Sequence, residues 1–422
     1  MNLFPLSAVA VLAFVPSLLG VFQFDDYNVI VNSPEVQSWQ ALADGLGSSV
    51  RPVLKASYAL NWTLGLGVVG FHLVNIAVHA LNAVLVYQIG RRLTPHSGAA
   101  LAAALLFALH PVQVEAVTYI SGRSSSLMAS FYLAALLVYL RGGHWALSSL
   151  FFVLAAATKE TALTLPAALL LCEIVRSTRW KEIVRRQAAH WCLLVAGLAF
   201  VLLNERYFDL IAFGFTRRDV ADNLLTQVGA ISYLAGRLIG LHGASIDPAL
   251  PVLTQWSGAL ALQAVLLGAL LALGVANLRA RPWIAFGVLW FFLQLAPTNS
   301  IVPRLDVAND RQLYLASWGL FFAISVQVAR LRLPRRLAMA SAGGLLVILA
   351  GASVLRQLDY RSEIALWEAD VRAVPWNARA HNNLGYAYQQ AGRLDAARDA
   401  YQAALTVDPS HTKARFNLLL LD

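Results

Sequence analysis

Apolar runs of about 20 residues recur along most of this chain and are separated by short polar connections. A helix of that length spans the hydrocarbon core of a bilayer, which is about 30 Å thick. The pattern therefore predicts an all-α polytopic membrane protein. We place about eleven spans, at residues 3–21, 71–89, 99–117, 124–140, 145–157, 161–175, 189–204, 259–275, 283–295, 313–329 and 337–355.

Three apolar stretches are less regular than the rest. The first run, 3–21, has no basic residues before it and no small-residue cleavage site, which favours a retained span over a signal peptide. The runs at 145–157 and 283–295 are short, which indicates tilted helices or helices longer than the run. The stretch 224–241 carries Arg237 in its interior and predicts an amphipathic helix on the outer surface.

Basic residues fall in every second connection and set the orientation. Lys and Arg number 32 against 23 Asp and Glu, a formal net charge of +9. Short basic loops remain on the cytoplasmic side, so an odd number of spans places the C-terminus outside. The sequence has no basic-aromatic patch or nucleic-acid motif, and we expect no nucleic acid partner. The basic connections contain Arg91, Arg92, Arg141, Arg176, Arg179, Lys181, Arg185, Arg186, Arg279, Arg281, Arg330, Arg332, Arg335 and Arg336.

Asp25 and Asp26 directly follow the first predicted span. Two adjacent carboxylates are costly next to lipid, so an ionisable pair there indicates a functional site. The competing interpretation is a helix end in the polar interface, where charge costs least. The predicted topology favours a site, because it gathers further acids and bases at the same outer face. These are Arg51, His110, Glu115, Arg123, Lys159, Glu160, Arg304, Asp306, Asp310 and Arg311.

Some of these polar residues also have a structural interpretation. Lys159 and Glu160 are neighbours and could form a simple interfacial pair. His110 precedes Pro111, which predicts a kink with a hydrogen-bonded histidine. A polar stripe on the second span favours hydrogen bonding between helices over metal binding, since such stripes commonly join membrane helices. The stripe comprises His72, Asn75, His79 and Asn82.

After residue 357 the chain becomes polar and alanine-rich. Residues 378–411 match the 34-residue tetratricopeptide pattern, in which small residues let two antiparallel helices approach. The matching positions are Leu384, Gly385, Tyr388, Ala397, Tyr401, Ala404 and Pro409. Trp367 and Pro375 lie one repeat earlier, so 363–374 is predicted as the second helix of a degenerate preceding repeat, and 412–421 begins a third. An array this short is expected to lean on the membrane domain.

A set of short motifs along the chain is informative through its order and spacing. They are Phe24-Asp25-Asp26, Arg51-Pro52, the stretch 70–75 with His79, the stretch 109–117, Gly122-Arg123, Lys159-Glu160 and the stretch 311–315. With the tail, these motifs make the chain resemble the transmembrane and tetratricopeptide-repeat O-mannosyltransferase family and its bacterial relatives, in the GT-C glycosyltransferase superfamily. The chain departs from the animal members in its much shorter repeat tail, which leaves the acceptor open.

The resemblance implies a polyprenyl-phosphate-linked sugar as donor and transfer at the outer face. Asp25 is then the general base that takes the proton of an acceptor hydroxyl. Asp26 orients Asp25 or holds a divalent cation, Mg²⁺ or Mn²⁺. Cations are needed against the phosphate that leaves with the lipid. The predicted donor phosphate- and sugar-binding residues are Arg51, His110, Glu115, Arg123, Lys159, Glu160, Arg304, Arg311 and Tyr314.

We therefore expect a GT-C-like transmembrane catalytic domain at 1–357, with outer loops 22–70 and 205–257, and a tetratricopeptide-repeat domain at 358–422 on the outer side. The expected reaction transfers a mannose-like hexose, with inversion, to a protein acceptor held by the repeat. The alternatives are a glycolipid or lipid A-type sugar transferase, a flippase of lipid-linked sugars and a non-catalytic scaffold. We expect a bacterial inner membrane, with the active site and C-terminus periplasmic.

Overall fold

The computed structural model describes residues 3–46, 49–142, 144–240, 242–331 and 334–421, and all regular secondary structure in these ranges is helical. The predicted all-α fold class is thereby confirmed. The first part of the chain contains α1 (Phe4–Phe14), α2 (Pro34–Gln37), α3 (Trp39–Gly45), α4 (Pro52–Leu64), α5 (Gly67–Leu93), α6 (Ser97–Leu109), α7 (Val114–Val117), α8 (Arg123–Leu140), α9 (Trp145–Thr158), α10 (Leu165–Val175), α11 (Trp180–Leu203), α12 (Glu205–Arg217), α13 (Val220–Arg237), α14 (Gly258–Ala276), α15 (Pro282–Leu295), α16 (Leu313–Ala329) and α17 (Arg335–Asp359). The tail adds α18 (Glu363–Ala373), α19 (Ala378–Gln390), α20 (Leu394–Val407) and α21 (Thr412–Leu419).

Among the described residues, six helices are long and apolar enough to cross a membrane. They are α5, α8, α11, α14, α16 and α17, and a seventh crossing results if α6 and the turns after it form one bent span. Shorter apolar helices lie at Phe4–Leu19, Trp145–Thr158 and Pro282–Leu295. Helical segments thus occupy every predicted position, while the number of eleven spans stays a prediction.

These long helices divide into an inner and an outer set. In their most apolar windows, 56%, 78% and 67% of α5, α8 and α16 is buried, against 11%, 11% and 6% of α11, α14 and α17. The outer helices therefore present apolar side chains to their surroundings, as a lipid environment requires. The candidate site is built mainly on the ends of the inner helices.

Polar side chains on α5 join the inner helices to one another. Asn75 donates to the Val117 carbonyl at 3.0 Å. A ring nitrogen of His79 lies 2.8 Å from the Tyr314 hydroxyl, and Asn82 donates to the same hydroxyl at 3.0 Å. These bonds confirm that three members of the polar stripe, Asn75, His79 and Asn82, hold helices together.

The third predicted span is bent. Its axis turns by 55° between α6 and Pro111–Val117, because Pro111 has no N–H with which to continue the helix. His110 accepts a hydrogen bond from the Val112 N–H at 3.3 Å, and its other ring nitrogen lies 3.1 Å from the Leu238 carbonyl. The predicted kink with a hydrogen-bonded histidine is confirmed.

The stretch predicted as an amphipathic helix forms α13, which is not among the described helices able to cross a membrane. It begins at Val220, earlier than predicted, because Asp219 caps its N-terminus by accepting from the Asp222 N–H at 2.8 Å. Its apolar residues Ala230 and Leu234 pack against α15 and α16 in one buried cluster. One side of α13 is therefore part of the core.

The tail forms the predicted repeat. A Cβ atom at Gly385 would lie 2.6 Å from the Tyr401 ring, so glycine permits the close contact of α19 with α20. The helix α18 occupies the position predicted for the preceding repeat. Trp367 on α18 packs edge-on against Phe24, with ring centroids 5.5 Å apart. This contact confirms the expectation that the repeat packs against the membrane domain.

Candidate active site

Asp26 is fully buried and binds the backbone around it. One carboxylate oxygen accepts from the N–H of Ser121 at 2.8 Å and from its hydroxyl, and the other accepts from the Gln23 N–H at 3.0 Å. Burial raises the pKa of Asp26 to about 7, although these hydrogen bonds oppose the shift. Because both oxygens are engaged, the contacts favour the orienting role of Asp26 over metal binding. Among the described residues, no group of three or more His, Cys, Asp or Glu could hold a metal ion, and the predicted Mg²⁺ or Mn²⁺ stays a prediction.

Asp25 is half-buried and faces a cluster of charged groups. Its backbone N–H donates to the Tyr119 hydroxyl at 3.0 Å. Burial raises the pKa of Asp25, while Arg311 opposes the shift, and a raised pKa makes the carboxylate a stronger base. The preceding residue, Phe24, has a φ of 46°, a strained left-handed conformation for a non-glycine residue. Such strain is concentrated at functional sites.

Arg311 stands between Asp25 and two acids that hold it loosely. Its Nε lies 3.5 Å from Glu115 Oε1, and its Nη2 lies 4.0 Å from Asp306 Oδ2. Glu115 is fixed in turn, because its Oε2 accepts from the Asp310 N–H at 2.8 Å. The long distances leave the guanidinium able to form short, bidentate hydrogen bonds with another anion.

A small cavity of about 20 Å³ adjoins Arg311. The Lys159 ammonium in its wall donates to the Ser125 hydroxyl at 2.8 Å and is only 7% exposed. Burial, followed by repulsion from nearby arginines, lowers the pKa of Lys159 well below its usual value. Gln312 has both side-chain polar atoms buried without a hydrogen-bond partner among the described residues. The wall therefore offers unused polar groups beside a buried cation that Glu160 compensates only in part.

Two further arginines complete the cation cluster, which we define as Arg51, Lys159, Arg304 and Arg311. Arg51 makes a bidentate pair with Glu160, at 3.0 and 2.6 Å. It has a φ of 61° immediately before a proline, a second strained residue at the site. Arg304 lies within electrostatic reach of Arg51, Glu160 and Arg311, and no ion pair joins it to a described residue. Glu160 therefore balances only part of the positive charge.

An apolar groove of about 270 Å³ reaches Glu160, the partner of Arg51 in this cluster. Glu160 and Tyr207 line its polar end, and Phe152, Ala156 and Leu193 are among the side chains along its apolar part. Its walls come mainly from α9 and α11, and the apolar window of α11 is 11% buried. The groove thus connects the outer, apolar surface of the helices with the polar site.

The structure does not bring Arg123 to the cation cluster. Its guanidinium is fully buried and donates to the side-chain oxygens of Asn75 and Asn61, both at 2.6 Å. It also donates to the carbonyls of Phe71 at 2.9 Å and Ser57 at 3.2 Å. With these bonds made inside the protein, Arg123 joins α4, α5 and α8 rather than binding the donor as predicted.

Replacing Arg123 by Met is expected to destabilise the protein by at least about 3 kcal/mol, since several buried oxygens lose a charged donor. Thermal unfolding in detergent, followed by fluorescence-detected size exclusion, measures this change. The matched control is Arg330→Met, because Arg330 is exposed and stacks on Trp283 with a guanidinium-to-centroid distance of 4.2 Å. Equal melting temperatures for both variants would contradict the structural role.

His110 and Tyr314 are also engaged in internal contacts. The ring nitrogens of His110 bind backbone groups, and the Tyr314 hydroxyl binds α5. The side chain of Tyr314 still lines the small cavity, whereas His110 does not. The other predicted residues form one connected cluster beside Asp25, and their role in donor binding stays a prediction. They are Arg51, Glu115, Lys159, Glu160, Arg304 and Arg311.

Sequence reasoning missed Tyr119 and Ser121, which fix the acid pair, and gave no role to Gln312. Tyr119 and Ser121 are separated from the acids they contact by 94 and 95 residues. The only local signal was that polar residues interrupt an apolar stretch at its outer end. That signal marks a helix end and does not identify a partner so distant in the chain.

Comparison with known proteins places this arrangement in a family context. The tetratricopeptide repeat family matches residues 378–411. The chain is 27% identical to a protein O-mannosyl-transferase of Caenorhabditis elegans, with 97% of this chain and 63% of that protein covered. It is 28% identical to the human protein O-mannosyl-transferase TMTC4, with 92% of this chain and 64% of that protein covered. The chain is a homologue of protein O-mannosyl-transferases.

The homology confirms the resemblance to protein O-mannosyltransferases, while the bacterial relatives and the GT-C superfamily stay predictions. A third protein O-mannosyl-transferase, Tmtc1 of Drosophila melanogaster, is 32% identical over 50% of this chain and 26% of its own length. The chain spans a little under two thirds of the C. elegans and human relatives, at 63% and 64%. These three relatives are animal proteins, and the expected bacterial inner membrane stays a prediction.

Proposed function

We propose that this protein is a membrane glycosyltransferase that moves a mannose-like hexose from a polyprenyl-phosphate carrier to a hydroxyl of a protein acceptor. The observation that carries the proposal is the cation cluster, which acts on Asp25 through Arg311 and reaches the apolar groove through Glu160, the partner of Arg51. These groups supply a base, an anion site and a lipid site for one reaction. The names of the homologues support both the sugar and the protein acceptor.

The groove and the cation cluster suit the two parts of the proposed donor. A polyprenyl chain is apolar, and burying it against Phe152 and Leu193 is favourable by roughly 25 cal/mol per Å². A buried ammonium beside three arginines, as at Lys159, is costly until a further anion binds. A phosphate held by Lys159 and Arg311 would supply that anion.

Asp25 performs the proton transfer in this reaction. Its carboxylate takes the proton of the acceptor hydroxyl while the oxygen attacks the anomeric carbon. The bond between that carbon and the phosphate oxygen breaks, and the polyprenyl phosphate leaves with both bonding electrons. Arg311 and Lys159 stabilise the developing phosphate charge. A single displacement of this kind inverts the anomeric configuration.

The reaction takes place at the outer face, where the positive-inside pattern puts the acid pair and the repeat. The repeat lies against the loop that carries Asp25, through the contact of Trp367 with Phe24. An acceptor bound to the repeat would therefore be close to the base. This proximity supports a protein acceptor rather than a lipid one.

The proposed function is tested with purified protein in nanodiscs and radiolabelled mannosyl- or glucosyl-phosphoryl polyprenol. Label in added peptides rich in Ser and Thr is the expected result. Label only in extracted lipids would favour a glycolipid transferase. Donor that crosses the bilayer of sealed vesicles without any transfer would favour a flippase, and no movement of label would favour a scaffold.

The groove itself is tested by filling it. Ala156→Phe, on the groove wall, is expected to raise the KM for a long-chain polyprenyl donor by about tenfold, corresponding to roughly 1.4 kcal/mol of lost lipid contact. A donor with a short prenyl chain should be affected much less. The matched control is Ala261→Phe on the exposed face of α14, which should leave both KM values unchanged. Equal KM values for the long-chain donor in the two variants would place the lipid elsewhere.

A further inference from the structure

Arg379, on the first helix of the tetratricopeptide repeat, links the tail to the site. Its Nε lies 2.5 Å from Asp247 Oδ2, and its Nη2 lies 3.2 Å from Asp306 Oδ1. Asp306 belongs to the segment before α16, and its other oxygen lies 4.0 Å from Arg311 Nη2. The sequence motifs of the tail gave Arg379 no role. A row of alternating charges therefore runs from the repeat through Asp306 to Arg311.

The position of Arg379 is fixed by the surroundings of α19. Asn377, which caps the helix, donates through Nδ2 to both the carbonyl and the carboxylate of Asp247 at 2.9 Å. Asp370 on α18 accepts from the Ser245 hydroxyl at 2.5 Å and from the Ile246 N–H at 2.8 Å. These bonds tie the loop before α14 to the repeat. The guanidinium is thus held where it can neutralise Asp306.

Asp306 can pair with either of two cations, Arg379 and Arg311, and which pair forms affects the site. Its bond to Arg379 is shorter than its contact with Arg311, at 3.2 against 4.0 Å. While Arg379 holds Asp306, Arg311 remains only loosely paired and can turn to another anion. Without Arg379, no other cation competes for Asp306, so Asp306 and Arg311 would form a closer ion pair.

We propose that Arg379 is a positioning residue for the transfer reaction, and that it acts through Asp306 on Arg311 and Asp25. The inference rests on the proposed function, in which Arg311 binds the donor phosphate and Asp25 is the base. The repeat is then a component of the active site as well as a binding surface for the acceptor.

The same row of charges acts on Asp25. The groups that face Asp25 are Arg311 and Asp306 from the segment before α16, Tyr119 from the segment before α8, Arg379 from the repeat, and Asp26 beside it in the chain. Arg379 lowers the pKa of Asp25, and Asp306 raises it. Loss of Arg379 alone therefore raises the pKa of Asp25. When Arg379 and Asp306 are both lost, their opposite effects on this pKa largely cancel.

A double-mutant cycle separates positioning from docking. Arg379→Gln is expected to lower kcat by roughly tenfold, a typical coupling within one ion-pair network. Adding Asp306→Asn should restore most of the activity, because the carboxylate that captures Arg311 is then gone. If Arg379 only docks the repeat, the second substitution cannot help. Arg372→Gln, an exposed arginine on α18, is the matched control and should retain the wild-type rate.

The pH dependence gives a second readout. A base with a raised pKa stays protonated to higher pH, so the acid limb of the kcat profile should move to higher pH in Arg379→Gln and return in the double variant. Arg379→Lys, which keeps the charge, should keep the wild-type limb. Asp247→Asn removes a docking contact of the same helix but leaves the pair with Asp306. It should not move the limb upward.

Carbodiimide labelling of Asp25, read by mass spectrometry across pH, follows the same titration without any turnover. An upward shift in Arg379→Gln that the double variant reverses is the expected result. If wild type transfers sugar but neither profile shifts, the positioning role of Arg379 fails and the proposed function stands. If wild type transfers no sugar while the labelling profile shifts, the proposed function fails and the charge coupling stands.

Discussion

Replacing Asp25 by Asn is expected to lower the rate of sugar transfer by about 10²–10⁴-fold, the usual contribution of a general base. Asparagine preserves the shape of the side chain but cannot take a proton from the acceptor hydroxyl. The fall should appear in kcat, with the KM for the donor nearly unchanged, because the proposed role of Asp25 is on the acceptor hydroxyl and not on the phosphate. Single-turnover transfer from a radiolabelled polyprenyl-phosphate sugar measures it directly.

The matched control is Asp44→Asn, in the same outer loop. Asp44 is exposed and only accepts a hydrogen bond from Gln40 at 2.8 Å. Its substitution removes one carboxylate from the loop without touching the site, so transfer should continue at the wild-type rate. If Asp25→Asn, verified as folded by size exclusion, transfers sugar as fast as wild type, Asp25 is not the base.

Replacing Arg311 by Gln is expected to lower kcat/KM for the donor by about 10²–10³-fold, as for the loss of one donor to a developing negative charge. Gln loses the charge and the planar fork that binds phosphate oxygens in pairs. It also leaves Glu115 without its cation. Arg311→Lys should recover part of the activity, because Lys keeps the charge but not the bidentate geometry.

The control for Arg311 is Arg361→Gln, which removes an exposed arginine near the start of the tail. The two variants have the same net charge, so a general change in electrostatic attraction of the anionic donor affects both. Only the Arg311 variant should lose donor affinity and rate. Equal losses in the two variants would mean that the donor phosphate is attracted by overall charge and not bound at Arg311.

The membrane helices, the stripe on α5 and the repeat could be predicted from sequence for a local reason. Apolar runs of sufficient length become helices because no water remains to bind their backbone groups. His79 and Asn82 lie on one face because of the helical period alone. Gly385 and Tyr401 fit together through the fixed spacing of the repeat. Each of these features depends on residues close together in the chain.

The difference between Asp25 and Asp26 depended on tertiary structure. Both are aspartates beside the same span, yet Asp26 is buried under hydrogen bonds while Asp25 remains half-exposed. The contacts that separate them come from Ser121 and Tyr119, which lie between α7 and α8 and reach the end of the first span. No local pattern contains that information.

The same applies to the arginines. Arg123 and Arg311 both stand at the outer start of an apolar helix and look alike in sequence. Arg123 donates hydrogen bonds to the side-chain oxygens of Asn61 and Asn75, which lie 62 and 48 residues away in the chain. These bonds occupy its donors. Arg311 meets two acids at 3.5 and 4.0 Å and keeps its hydrogen-bonding capacity. The sequence by itself determined the helices, their likeness to a family and the presence of ionisable groups at one face. Which of those groups can act on a substrate was decided by packing, because a buried polar group must bind whatever the fold places within reach.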